Sequence, residues 1–84
     1  MTIYLLHNDF GNGQARAFAT EDKMVSEYQK HINTKLGENY KCELSKEMNC
    51  FGLEVKSIDV YKIRDGKKEY VPNWGRNYSV LQVE

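Results

Sequence analysis

Residues 53–71 read LEVKSIDVYKIRDGKKEYV and contain the clearest structural pattern of the chain. Asp65-Gly66 lies between two runs that are rich in β-branched and aromatic residues, and Asp-Gly readily takes the two positive-φ positions of a type I′ turn. A tight β-hairpin is therefore predicted, with opposite charges and two aromatic rings meeting across the strands, which stabilises an antiparallel pair. Its register opposes Ile63 to Lys68, Lys62 to Glu69, Tyr61 to Tyr70 and Val60 to Val71. The stretch predicts structure and does not by itself indicate a function.

The size and charge of the chain limit what it does. Its 84 residues are expected to form a single small domain, residues 1–84, with a core of modest size and little room for a deep enzyme cleft. Twelve Lys and Arg balance twelve Asp and Glu, so the formal charge is zero. No overall field then attracts nucleic acid or an anionic membrane, and any such binding requires a local patch.

The sequence also indicates a compartment. No apolar run has the length of a membrane-spanning helix, and residues 1–9 lack the basic flank and the long apolar segment of a signal peptide. We therefore expect a cytoplasmic protein that does not bind membranes. Cys42 and Cys50 are too few for a disulfide framework and are expected to be thiols.

The first third of the chain predicts strands and a helix. Residues 2–7 contain the apolar run IYLL and predict a strand. Residues 8–13 predict a loop because turn formers are concentrated there. Residues 14–18 form either a short strand or a mobile loop. A helix is predicted over residues 21–36, because Thr20 is a good N-cap and Met24, Tyr28, Ile32 and Leu36 make one apolar stripe. Gly37 is expected to end it in the left-handed C′ position.

The middle of the chain is less regular. Tyr40, Cys42 and Leu44 alternate with charged residues and predict an amphipathic strand. Residues 45–52 form either one helical turn capped by Ser45 or a hairpin connection. Leu53 and Val55 have the opposite parity to Ile58 and Val60, which predicts either a β-bulge near Ser57 or a strand that is covered on both faces at different points.

These elements define a fold class. A closing strand is predicted over residues 78–83, so the order is β-(β)-α-β-β-β-β. Each amphipathic element must bury its apolar side on another. The predicted fold is therefore α+β, with one helix of about residues 21–36 packed on a four- to five-stranded, mainly antiparallel sheet.

Catalytic and metal-binding patterns are weak. His7, His31, Cys42 and Cys50 are zinc-ligand types, but the thiols lack the short spacing of common structural zinc sites. No local signature marks either cysteine as a nucleophile. We therefore expect no enzyme, no catalytic residue, no metal and no cofactor.

The strongest candidate for a site lies in residues 60–78. This segment contains five cationic and two anionic residues, and four aromatic residues are interleaved with them. Tyr, Trp and Arg are the usual anchors of protein interfaces, and aromatic faces with cations also bind single-stranded nucleic acid. A third interpretation is that the tyrosines form a cross-strand pair under the helix while the lysines only solubilise the hairpin. The candidate contact residues are Tyr61, Arg64, Lys67, Lys68, Tyr70, Trp74, Arg76 and Tyr78.

The function predicted by elimination is a small non-catalytic binding module that occupies a surface of a partner protein. The alternative is a single-stranded nucleic-acid-binding module that uses the basic aromatic hairpin and the Trp74 loop. Nine lysines, seven asparagines and six tyrosines resemble the residue usage of AT-rich genomes. In this style the chain resembles the small phage and mobile-element inhibitors of host machinery, including anti-CRISPR and anti-restriction proteins. Exposed strand edges also allow a homodimer besides a monomer.

Overall fold

The structure is a computed structural model that describes residues 1–9, 14–48 and 50–83. Within these residues it contains six strands and one helix, in the order that the sequence predicts. Residues 14–18 form the short strand rather than a loop, and the first strand extends past the predicted residues 2–7. The rest of the predicted loop, residues 10–13, lies outside the described residues. The elements are β1 Thr2–Asp9, β2 Gln14–Phe18, α1 Glu21–Leu36, β3 Tyr40–Met48, β4 Glu54–Arg64, β5 Lys67–Tyr70 and β6 Arg76–Gln82.

The long strand β4 joins the sheet together. The strand order is β2-β1-β6-β4-β3, every neighbouring pair is antiparallel, and β5 also pairs with β4. One edge of β4 pairs with β3 over residues 54–62. The other edge is shared, because β6 pairs at Ser57 and Ile58 and β5 pairs over residues 61–64. The predicted class, one helix packed on an antiparallel sheet, is confirmed, but the sheet has six strands rather than the predicted four or five.

The β4–β5 hairpin has the predicted turn and register. Asp65 and Gly66 have φ angles of 52° and 75°, as a type I′ turn requires. The ladder opposes Tyr61 to Tyr70 and continues to the turn in the predicted pairs. Beyond the ladder the Val71 N–H donates to the Val60 carbonyl oxygen at 2.9 Å, so the last predicted pair is also formed.

The helix begins and ends where the sequence predicts. The Thr20 hydroxyl accepts a hydrogen bond from the Lys23 N–H at 3.1 Å, which satisfies one of the unpaired donors of the first turn. Met24, Tyr28 and Ile32 are fully buried against the sheet. Gly37 has φ 118° and ψ −176°, so its φ is positive as predicted but its ψ is extended rather than left-handed helical.

The change of parity along β4 has a cause that the sequence analysis did not identify. The β3–β4 ladder runs from Tyr40 opposite Lys62 to Met48 opposite Glu54 without a shift, so the predicted bulge in this pair is wrong. Ile58 and Val60 are fully buried on the helix side, whereas Val55 is 36% exposed on the other face. The strand needs no correction of phase because its first half lies beyond the core.

The partner strand β3 also continues beyond the core. Ser45 lies within β3, so the predicted helical turn that it would cap is wrong, and the described residues 50–53 belong to the connection between β3 and β4. Cys42 is 5% exposed and contributes to the core, but Leu44, two residues further out on the same face, is 40% exposed. The core therefore ends between these two residues of β3.

Candidate functional site

The tyrosine pair of the β4–β5 hairpin lies on the open face of the sheet, which we define as the face opposite α1. Tyr61 follows the buried Val60, and successive side chains of a strand point to opposite faces. The Tyr61 and Tyr70 ring centroids are 5.9 Å apart at 68°, an edge-to-face contact. The interpretation that this pair packs under the helix is therefore wrong. Tyr70 is 58% exposed and presents its ring to solvent.

An ion pair crosses the open face beside these rings. Lys68 Nζ lies 2.8 Å from Glu43 Oε2 and 5.1 Å from the centroid of the Tyr61 ring. The pKa of Lys68 is raised, mainly by the hydrogen bond to Glu43 and then by the negative charge of the Glu43 carboxylate. Lys68 thus connects β5 to β3 over the tyrosine, and Glu43 places a negative charge beside it on the open face. The surface is less basic than the sequence alone indicates.

Two further cations among the predicted contact residues flank the turn. Arg64 and Lys67 are directly opposed in the ladder, and both side chains are exposed. Together with the open-face residues they complete the group that the β4–β5 hairpin brings together. Its members are Tyr61, Arg64, Lys67, Lys68 and Tyr70.

The other three predicted contact residues lie on the helix side of the sheet. Trp74 packs against the core, and its backbone oxygen accepts a hydrogen bond from the Tyr28 hydroxyl at 2.5 Å. Arg76 Nη1 donates to the Gly75 carbonyl oxygen at 2.8 Å. Tyr78 is only 4% exposed. The predicted contact residues are therefore divided between two sides of the molecule.

Burial also sets the chemistry of Tyr78. Its hydroxyl donates to Glu21 Oε2 at 3.0 Å, which joins β6 to the first turn of α1. Burial, and then this hydrogen bond, raise the pKa of the Tyr78 phenol. The ring therefore fixes the position of the helix on the sheet and offers no stacking surface to a ligand.

The most exposed apolar surface was not among the predicted sites. We call residues 48–55 the β3–β4 tip; of these, residue 49 is outside the described part. Met48 is 67% exposed, Phe51 82%, Leu53 64% and Val55 36%. The largest dimension of the molecule is 45 Å and its radius of gyration is 13.3 Å, against about 12 Å for a compact chain of this length. The hairpin thus projects from the core and exposes four large apolar side chains near its end.

The phase of the apolar residues along β4 is a sequence signal for the tip. Leu53 and Val55 fall out of phase with Ile58 and Val60. Of the two predicted explanations, a bulge would return Leu53 and Val55 to the core, and coverage of both faces would bury them on the other side. The structure leaves both side chains exposed, so neither explanation is correct. Apolar residues that do not fit the phase of the core are instead an indication of exposure.

The two thiols have different environments. Cys42 is buried, and burial raises its thiol pKa to about 12. A thiol with so high a pKa is protonated at neutral pH and is a poor nucleophile. Cys50 is exposed in the β3–β4 tip. Over the described ranges no three His, Cys, Asp or Glu side chains are grouped so as to hold a metal ion.

The comparisons with known proteins do not identify a family. No protein-family model, curated protein or solved structure matches the chain. No helix within the described residues has the length and apolar character needed to cross a membrane. The function is therefore inferred from the surfaces of the chain alone.

Proposed function

We propose that this chain is a non-catalytic binding module that occupies a surface of a partner protein, with the β3–β4 tip as its main contact. The observation that carries this proposal is the exposure of Met48, Phe51, Leu53 and Val55 at the end of a projecting hairpin. Large apolar side chains that are exposed together at the end of a projecting hairpin commonly mark an interaction site, since leaving them in water is unfavourable. Burial of a side chain such as Phe51 or Leu53 contributes about 1.5–3 kcal/mol.

The open face extends this contact surface toward the residues that the sequence indicated. Val55 and Tyr61 have the same parity on β4, so both lie on the open face, about 20 Å apart at the rise of an extended strand. The Tyr61–Tyr70 pair would then form the second end of the contact surface. A partner that covers both ends would contact apolar groups at the tip and amphipathic rings beside Lys68.

The shape of the surface favours coverage of a partner over catalysis. A projecting hairpin inserts into a groove, whereas substrates are normally enclosed in a concave site. The buried thiol of Cys42 is protonated at neutral pH, which disfavours it as a nucleophile. Blocking a surface of a larger machine, as the phage-type inhibitors that the composition resembles do, requires only binding.

Nucleic-acid binding is the less favoured function. The β4–β5 hairpin offers one well-exposed ring, Tyr70, beside the cations Arg64, Lys67 and Lys68, and Lys68 is paired with Glu43. Trp74 and Tyr78, the other two aromatic residues of the predicted patch, pack against or within the core. Single-strand binding relies on several stacking rings in a positively charged groove.

Capture from lysate with variant baits tests the proposed surface. The wild type, Phe51→Ser/Leu53→Ser and the control Lys35→Ser, on the exposed last turn of α1, would each be used with and without nuclease. We expect the wild type and the control to retain the same proteins after nuclease treatment and the tip variant to lose them at least tenfold, since two buried anchors are removed. The wild type and both variants should unfold at the same urea concentration.

Two results would contradict the proposal. Equal recovery by the tip variant would show that the tip is not the contact surface. Loss of all captured proteins from the wild type on nuclease treatment, with retention of the bait on single-stranded DNA that weakens with salt, would support the nucleic-acid alternative instead.

A further inference from the structure

The outer edge of β3 is an edge of the sheet. β3 is the last strand in the sheet order, and within the described residues no strand pairs with its outer edge. Gln29 of α1 identifies the groups on that edge, because its side chain bonds the Tyr40 carbonyl oxygen at 2.9 Å and the Cys42 N–H at 2.8 Å. Backbone groups alternate between the two edges of a strand, so Leu44, Lys46 and Met48 also direct theirs outward.

Gln29 covers only the first part of this edge. Its carboxamide supplies one donor and one acceptor, as the backbone of a neighbouring strand would. The remaining outward groups belong to residues 44–48, where the strand lies beyond the core. An exposed regular edge is a template for pairing with another chain.

We infer that β3 pairs antiparallel with β3 of a second copy across a two-fold axis, with Leu44 opposite Leu44. In that register Lys41 faces Glu47 of the second copy on the open face, and Tyr40 faces its Met48 on the helix side. Symmetry repeats both contacts, so two opposite-charge pairs and two apolar pairs flank the central leucines. Glu43 faces Ser45, Cys42 faces Lys46, and like charges are not opposed at any position of Tyr40–Met48.

The charges of β3 exclude the neighbouring registers. A shift that centres the pairing on Glu43 places the two Glu43 side chains opposite each other. A shift the other way, centred on Ser45, opposes Glu43 to Glu47 on both sides of the axis. Like charges that are directly opposed destabilise a strand pair, whereas opposite charges stabilise it. The charge pattern therefore selects the register centred on Leu44.

Full pairing displaces the Gln29 side chain. Its bonds to Tyr40 and Cys42 are replaced by backbone bonds from the second copy, so Gln29 competes with dimer formation. The antiparallel arrangement also directs the two β3–β4 tips away from each other. Met48 then belongs to the dimer contact, and each tip keeps Phe51, Leu53 and Val55 for a partner. A dimer of this form presents two separate tips, which would strengthen binding to a partner with two sites.

Sedimentation equilibrium of the untagged chain tests the inference. The wild type is expected to fit a monomer–dimer equilibrium based on the 9.8 kDa chain. K41E and E47K should each weaken dimerisation about tenfold or more, because two attractive pairs become repulsive, and K41E/E47K should restore it. Q29A should strengthen dimerisation. K35E, on the helix and away from β3, is the control and should leave the constant unchanged.

Restored dimerisation of K41E/E47K would show that the single substitutions act through this register. Damage to folding by either substitution would persist in the double variant, which contains both. Circular dichroism would confirm that each variant is folded. A wild type that remains monomeric up to millimolar concentration would overturn the inference. Dimerisation of K41E with the wild-type constant, or failure of K41E/E47K to restore it, would also overturn it.

Discussion

Tyr28→Ala is expected to destabilise the fold by about 4–5 kcal/mol, the upper part of the range for removing a buried aromatic ring. Tyr28 is fully buried at the centre of the helix stripe, and its hydroxyl donates to the Trp74 carbonyl oxygen. The substitution therefore leaves a cavity in the core and removes the bond that joins α1 to the segment before β6. Domains of this kind are stable by about 5–15 kcal/mol, so a large share of the stability would be lost. Urea unfolding followed by circular dichroism measures the change.

Tyr28→Phe is the matched control, because it keeps the ring and removes only the hydroxyl. We expect it to lower the free energy of unfolding by about 1–2 kcal/mol, the range for a buried hydrogen bond whose acceptor is left without that donor. If Tyr28→Ala and Tyr28→Phe had equal effects, the ring would contribute little to the core and the assigned helix face would be wrong.

Ile58→Lys is expected to prevent stable folding, whereas Val55→Lys on the same strand should change the free energy of unfolding by less than about 1 kcal/mol. Ile58 is fully buried on the helix side of β4, so a lysine there places an unpaired charge in the core. Val55 is 36% exposed and is opposed to Glu47 in the β3–β4 ladder, so a lysine there remains in water near a carboxylate.

This pair of variants tests the position at which the hairpin leaves the core. Circular dichroism and the urea midpoint of each variant are sufficient measurements. A bulge that placed Val55 in the core would make both substitutions strongly destabilising. Equal, severe effects would therefore contradict the continuous β3–β4 register.

The elements that could be predicted from sequence are those with local determinants. Asp65-Gly66 determines the turn and the register of β4–β5 through its own backbone preferences. Thr20 and the apolar stripe that contains Tyr28 determine the start and the buried face of α1. Both depend on residues that are close in the chain, so periodicity and capping were sufficient.

The contact surface depended on tertiary placement and could not be predicted in the same way. Trp74 and Tyr78 are residue types that often anchor interfaces, but their segment packs against α1 and both residues lie on the core side of the sheet. The exposure of Phe51 depends on how far the β3–β4 hairpin extends past the helix. The length of that extension is set by the paired strands and by the position of the core, and not by any local motif.

Site-specific photo-crosslinking would measure whether the β3–β4 tip contacts a partner protein, as we propose. A photoreactive phenylalanine analogue would replace Phe51 in one bait and Lys35, on the exposed last turn of α1, in another. After irradiation in nuclease-treated lysate, we predict a discrete crosslinked protein from position 51 and none from position 35. Crosslinks of equal yield at both positions, or from position 35 alone, would contradict the account.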